Sequence, residues 1–181
     1  MKYGLIGKKL GHSFSKPIHE KIGGYEYELK EIAPEDLDSF MKNKDFLGIN
    51  VTIPYKSDVM PYLDYIDEAA EKIGAVNTIV NREGKLYGYN TDFGGMRALI
   101  IKQGFDYKGA KVLVLGTGGT AKTALAVAEN LGAAEIISVS RSGSVNYENV
   151  YTLHGDADFI INTTPVGMYP DNFSSPLSNF S

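Results

Sequence analysis

Short apolar runs and helix-like segments take turns along the chain. The pattern predicts strands at Tyr3–Ile6 and Tyr25–Glu31, the second by strict alternation, and another at Gly48–Ile53. It predicts helices at Lys16–Ile22, at Pro34–Lys42 (opened by Pro34-Glu35-Asp36, as a first turn is), at Lys56–Leu63 and at Glu68–Ile73. Asn77–Val80 and Lys85–Tyr89 flank Asn81-Arg82-Glu83-Gly84 and read as a hairpin. Phe93–Gln103 is a predicted helix. Beyond it, Val112–Leu115, Ala121–Leu131, Glu135–Ser140 and Phe159–Asn162 read as strand, helix, strand and strand. Strands alternating with helices mean an α/β fold. Gly104–Gly109, GFDYKG, is the best linker, which assigns residues 1–100 to a first domain and residues 101–181 to a second.

Composition narrows the chemistry. The chain has 181 residues, 43% of them apolar, and a formal net charge of −4, an ordinary balance with enough apolar material for one core or two small ones. It has no Cys, which excludes a disulfide framework and any thiolate metal site. His12, His19 and His154 show no metal-ligand spacing, so no metal is expected. No apolar run reaches membrane-spanning length, and Met1-Lys2-Tyr3 leads into a strand without a signal-peptide core. The mildly acidic balance lacks the basic stripe that nucleic acid requires. A cytoplasmic enzyme or binding protein is the default reading.

KVLVLGTGGTA, residues 111–121, places a Gly-rich turn between a predicted strand and a predicted helix. Gly116, Gly118 and Ala121 fill the three small-residue places of the dinucleotide fingerprint. Gly116 lets the chain turn off the strand, Gly118 lets backbone approach a pyrophosphate, and Ala121 lets the helix pack close to the sheet. The same glycines would also serve a plain tight strand-to-helix connection. The next strand ends in Ser140-Arg141-Ser142, with no acid where NAD-binding proteins place one for the ribose hydroxyls. Arg141 suits a 2′-phosphate through charge and bidentate hydrogen bonding, or is a solvated surface charge. Glycines and arginine together favour NADP over NAD.

In the first domain, polar residues stand where core-forming segments end. Ser13 and Ser15 are two apart, so on an extended segment both hydroxyls face one way and could hold a carboxylate. Ser15 is also a candidate helix N-cap. Lys56 follows a strand and a Pro turn, where a solvated charge is the common outcome, and Asp92 precedes a helix, where N-capping is. Together, a Lys and an Asp near a nucleotide site could form a proton-transfer pair, the ammonium giving its proton to the oxygen of a ketone under reduction. In the reverse direction the Lys must lose its proton, so alkaline pH favours oxidation.

GHSFSKPIHE (11–20), NVTIPYK (50–56), GAVNT (74–78), GYNTDFGG (88–95), GTGGTA (116–121) and INTTPVGM (161–168) resemble the shikimate dehydrogenase family in order and spacing. The resemblance implies NADP-dependent, reversible reduction of 3-dehydroshikimate to shikimate on the route to aromatic amino acids. It implies an N-terminal α/β substrate domain and a Rossmann-like NADP-binding domain, with the active site in the cleft between them. Ser13 and Ser15 would bind the substrate carboxylate with Thr52 nearby. Asn77, Asp92 and Lys56 would bind ring hydroxyls, with Lys56 and Asp92 as the catalytic pair. Gly116, Gly118 and Gly119 would bind pyrophosphate, Arg141 the 2′-phosphate, and Asn162, Thr163 and Met168 would lie beside the nicotinamide half.

Two departures qualify the likeness. Ser140-Arg141-Ser142 stands where the family has Asn-Arg-Thr, and Gly143-Ser144 follows in place of a second Arg, which softens the NADP preference. The family also continues through further cofactor strands and returning helices that supply a Gln to substrate. Residues 109–181 cover little more than one βαβ unit plus a strand, so the expectation is a C-terminally short chain with an incomplete Rossmann-like domain. Two other readings stay open: a quinate/shikimate dehydrogenase using NAD, and a non-catalytic, truncated binding module. A monomer or a homodimer is expected.

Overall fold

The computed structural model describes residues 1–11 and 13–177, so His12 and the last positions of the Ser/Asn-rich end lie outside the described residues. The chain forms two compact units, Met1–Thr91 and Asp92–Ser181. The first contains β1 (Tyr3–Gly7), α1 (Ser15–Gly23), β2 (Glu28–Glu31), α2 (Leu37–Asn43), β3 (Gly48–Val51), β4 (Tyr65–Ile66), α3 (Glu68–Ile73), β5 (Thr78–Arg82) and β6 (Lys85–Tyr89). Its sheet runs β2-β1-β3-β5-β6-β4. Strands β1, β2 and β3 are parallel, while β5 runs antiparallel to both β3 and β6. Alternation along the strands sends Ile6, Ile49, Val51, Ile79 and Leu86 into one core with Leu37 and Met41 of α2. Leu5, on the opposite face, packs with Leu10 and Tyr27.

The second unit carries α4 (Thr91–Lys102, whose first residue closes the first unit), β7 (Lys111–Leu115), α5 (Gly119–Asn130), β8 (Glu135–Val139), α6 (Val150–His154) and β9 (Phe159–Asn162). Its strands are all parallel, in the order β8-β7-β9. Val112 and Val114 face Ile100 of α4 and Ala121, Ala124 and Val127 of α5, while Leu113 and Leu115 face Val150 of α6. Burial on both faces is why β7 reads as an unbroken apolar run.

Several elements differ from their sequence pattern for physical reasons. Tyr25–Glu31 alternates like a strand, but only Glu28–Glu31 pairs; Tyr25 and Tyr27 instead place their rings against Tyr3 and His19. Lys56–Leu63 is a chain of tight turns ending in one 3₁₀ turn, Met60–Tyr62, because Pro61 has no N–H to continue a helix. The hairpin loop is two residues, not four. Glu83 (φ 54°) and Gly84 (φ 83°) both take the left-handed conformation of a type I′ turn, so pairing extends to Arg82↔Lys85. Strand β4 and helix α6, two and five residues long, are too short to show a period. GFDYKG is a packed connection inside the second unit, where Tyr107 is buried 4.6 Å from the Phe159 ring. Among the described residues, no helix is long and apolar enough to cross a membrane.

Ile79 has no solvent exposure and sits mid-sheet in the first core. Ile79→Ala is expected to cost about 3 kcal/mol, read as a lower urea midpoint at unchanged slope. A loss below about 1 kcal/mol would show that this core closes around the cavity.

Candidate active site

In the first unit the antiparallel course of β5 decides the geometry. It brings the start of β5 to the sheet end where β3 and β6 finish, and Asn50, Thr78 and Tyr89 fall in one row across the three strands. Thr52 lies one residue past β3, half-buried, and its N–H donates to the Ile6 carbonyl (2.9 Å). The segment after it is stapled to the approach to β5. The Val76 N–H donates to the Lys56 carbonyl (2.7 Å), and Ser57 Oγ donates to the Gly74 carbonyl (2.9 Å). The buried Tyr55 hydroxyl donates to the Ile32 carbonyl (2.6 Å). The backbone of Lys56 is therefore held one residue from Asn77.

Asn77 is 6% exposed, and its side chain is oriented beyond ambiguity. Its Oδ1 accepts the Thr91 backbone N–H (2.9 Å), the Thr91 hydroxyl (3.1 Å) and the Thr78 hydroxyl (3.0 Å). A backbone N–H only donates, so that side of the amide must be oxygen. Asn77 Nδ2 is left facing away, with no acceptor among the described residues. Next to it, the buried Asn90 donates from Nδ2 to the Ala75 carbonyl (2.9 Å). Asp92 then lies within the first turn of α4, one residue inside the helix, so it is not the N-cap.

The serines are arranged differently from the extended spacing. Phe14 between them is helical (φ −86°, ψ 0°), and Ser15 is the first residue of α1, not its cap. The Ser15 N–H instead donates to Ser13 Oγ (3.2 Å). That oxygen accepts one bond while its own O–H proton remains available to an acceptor.

In the second unit, chain order crosses from β8 on one side of β7 to β9 on the other, so β7 marks a topological switch point. Ligands of such sheets bind beyond the carboxyl ends of the strands at that point. Gly116 follows β7 there with φ 113°, and a Cβ on it would lie 2.8 Å from Thr163 Oγ1. Gly118 caps α5 in an extended conformation with open space where a Cβ would go, Gly119 opens the helix, and Ala121 is buried. Arg141 stands exposed just past β8. Thr163 Oγ1 donates to the Leu115 carbonyl. Asn162 folds its own loop, accepting the Thr164 N–H (2.9 Å) and donating to the Val166 carbonyl (3.0 Å). Met168, in the same loop, is 64% exposed.

The structure thus gathers Thr52, Lys56, Asn77 and Thr91 at one sheet end, and Gly116, Gly118, Gly119, Arg141, Asn162 and Thr163 at another. Sequence reasoning missed Asn50, Thr78 and Thr91 as the groups that orient Asn77. Their one signal is position, each falling in or beside a motif at the end of a strand.

A family model described as the shikimate dehydrogenase substrate binding domain matches residues 5–79. A shikimate dehydrogenase (NADP(+)) of Clostridium beijerinckii is 41% identical, over 97% of this chain and 72% of the relative. The crystal structure of shikimate dehydrogenase 1 from Peptoclostridium difficile superposes with a TM-score of 0.88 at 39% identity, over 98% of this chain and 73% of that one. A Thermus thermophilus shikimate 5-dehydrogenase in complex with NADP(H) and shikimate gives 0.83 at 28% identity, over 98% and 73%. Fold and site define the class: an α/β, NADP-linked oxidoreductase with a Rossmann-like unit. The chain belongs to the shikimate dehydrogenase family.

The two glycines of the turn separate fold from binding. Gly118→Ala should leave stability within about 1 kcal/mol, because its backbone suits any residue. It should weaken NADPH binding at least about tenfold in a fluorescence titration, because the new methyl enters the open space that the dinucleotide fingerprint reserves for phosphate. Gly116→Ala should cost about 1–3 kcal/mol of stability from strain at positive φ. Equal effects of the two changes on stability would contradict this division.

Proposed function

We propose that the chain catalyses the reversible, NADP-linked reduction of 3-dehydroshikimate to shikimate, with Lys56 and Asp92 as the proton-transfer pair. The supporting observation is the staple that holds the Lys56 backbone beside Asn77, whose Oδ1 is fully used and whose Nδ2 is left to donate. A lysine whose backbone is held one residue from an oriented neutral donor suits a small polyhydroxylated substrate.

The residues present fit NADP. The positive φ of Gly116, the open approach at Gly118, the uncapped N-terminus of α5 and Arg141 beyond β8 form the pattern that holds a pyrophosphate and a 2′-phosphate. Gly118 and Gly119 would offer backbone N–H groups, and Arg141 its guanidinium. Bound there, the nicotinamide supplies the hydride for reduction or takes it in oxidation. Lys56 Nζ holds a proton at the ketone oxygen and releases it as that oxygen becomes an alcohol. Asp92 keeps the ammonium in place and accepts from a ring hydroxyl. Asn77 Nδ2 donates to a neighbouring hydroxyl oxygen, while the Ser13 and Ser15 hydroxyls and Thr52 hold the carboxylate. A cytoplasmic setting and a monomeric or homodimeric state belong to the same reading.

The test is NADPH consumption with 3-dehydroshikimate, alongside shikimate binding by calorimetry; neither turnover nor binding would refute the assignment. Lys56→Ala is expected to lower kcat by about 10²–10⁴ while shikimate affinity stays within a few-fold. A rate within a few-fold of the parent would remove Lys56 from catalysis. Arg141→Ala should lower the kcat/KM ratio of NADPH to NADH by about tenfold or more, the worth of a charged hydrogen bond. An unchanged ratio would detach Arg141 from the cofactor.

A further inference from the structure

Behind the proposed substrate groups lies a line of hydrogen-bonded polar side chains. Tyr27 Oη donates to Asn50 Oδ1 (2.6 Å). Asn50 Nδ2 donates to Thr78 Oγ1 (3.1 Å) and to the Asn77 carbonyl (3.4 Å). Thr78 Oγ1 donates in turn to Asn77 Oδ1 (3.0 Å). The carbonyl only accepts, so the Asn50 nitrogen must face Asn77 and its oxygen must face Tyr27. Tyr27 itself is clamped. It is 2% exposed, its ring stacks on His19 at 4.1 Å and 11°, and its N–H donates to the Glu20 carboxylate (3.4 Å). His19 and Glu20 belong to α1, the helix that Ser15 begins. Burial also pushes the Tyr27 phenol well above its usual range, so it stays an O–H donor.

We propose that Tyr27 is a positioning residue: its hydroxyl sets the amide of Asn50 and, through Thr78, the direction in which Asn77 presents Nδ2 to the substrate. The proposal rests on the reading of Asn77 as a substrate donor. Tyr27 touches no reacting atom. Without its hydroxyl, Asn50 Oδ1 loses its donor on that side, and the amide is free to turn Nδ2 away from Thr78. The Thr78 hydroxyl then has a reason to reorient, and Asn77 loses one of the bonds that hold Oδ1.

Tyr27→Phe keeps the stacked ring and removes only the oxygen. In the ligand-free protein, the side-chain amide NMR signals of Asn50 and Asn77 should both shift. In kinetics, the KM for 3-dehydroshikimate should rise about tenfold, with kcat and the KM for NADPH within about twofold. Asn50→Asp, which still accepts from Tyr27 but cannot donate to Thr78, should raise the same KM. Adding Tyr27→Phe to Asn50→Ala should change that KM no further, because the two act in series. Unmoved amide signals, or additive effects in the double variant, would overturn the positioning role. If the parent chain binds no shikimate, the proposed function fails, and the amide signals alone then decide for or against Tyr27.

Discussion

The arrangement of the first unit depends on one hydrogen bond, from the Thr91 N–H to Asn77 Oδ1. An N–H in the first turn of a helix has no acceptor within that helix and needs one from elsewhere. Here a strand-end side chain fourteen residues earlier supplies the acceptor, and the Thr91 hydroxyl adds a second bond to the same oxygen. Saturating that oxygen is what turns the amide nitrogen outward. The same bond sets where α4 begins, which puts Asp92 in its first turn. One requirement, a satisfied helix end, therefore orients the Asn77 amide and fixes the first residue of α4.

The two units gather their chemistry by different devices. The first uses a strand reversal: because β5 opposes β3 and β6, residues from NVTIPYK, GAVNT and Asn90-Thr91 reach the same sheet end although they are spread over more than forty positions. Backbone staples from Val76 and Ser57 then hold the Lys56 loop against the approach to β5. The second unit uses strand order. Placing β8 and β9 on opposite sides of β7 opens the carboxyl end of β7, where Gly116 turns. There Thr163 fills the space that a side chain on residue 116 would need, so strand order and the glycine are mutually dependent.

Much of this was legible in the chain. The run at Val112–Leu115, the hairpin and Gly116 all report local conditions: burial on two faces, a tight reversal, a backbone that must stay bare. What misled was pattern without context. The alternation at Tyr25–Glu31 is real, yet its tyrosines are spaced for packing against Tyr3 and His19, not for pairing. The two-residue spacing of Ser13 and Ser15 implies a shared face only on extended backbone, and Phe14 is helical. Lys56–Leu63 carries a helix-like distribution that Pro61 breaks.

By itself the sequence determined the α/β class, most strand and helix positions and the Gly-rich turn after β7. Those follow from periodicity and from backbone freedom at single glycines, which are properties of short segments. Only the tertiary structure decided which residues act together. Tyr27 reaches Asn50 across 23 positions and Asn50 reaches Thr78 across 28. Such bonds exist only once strand register is set, and register depends on how a whole face buries itself against its neighbours.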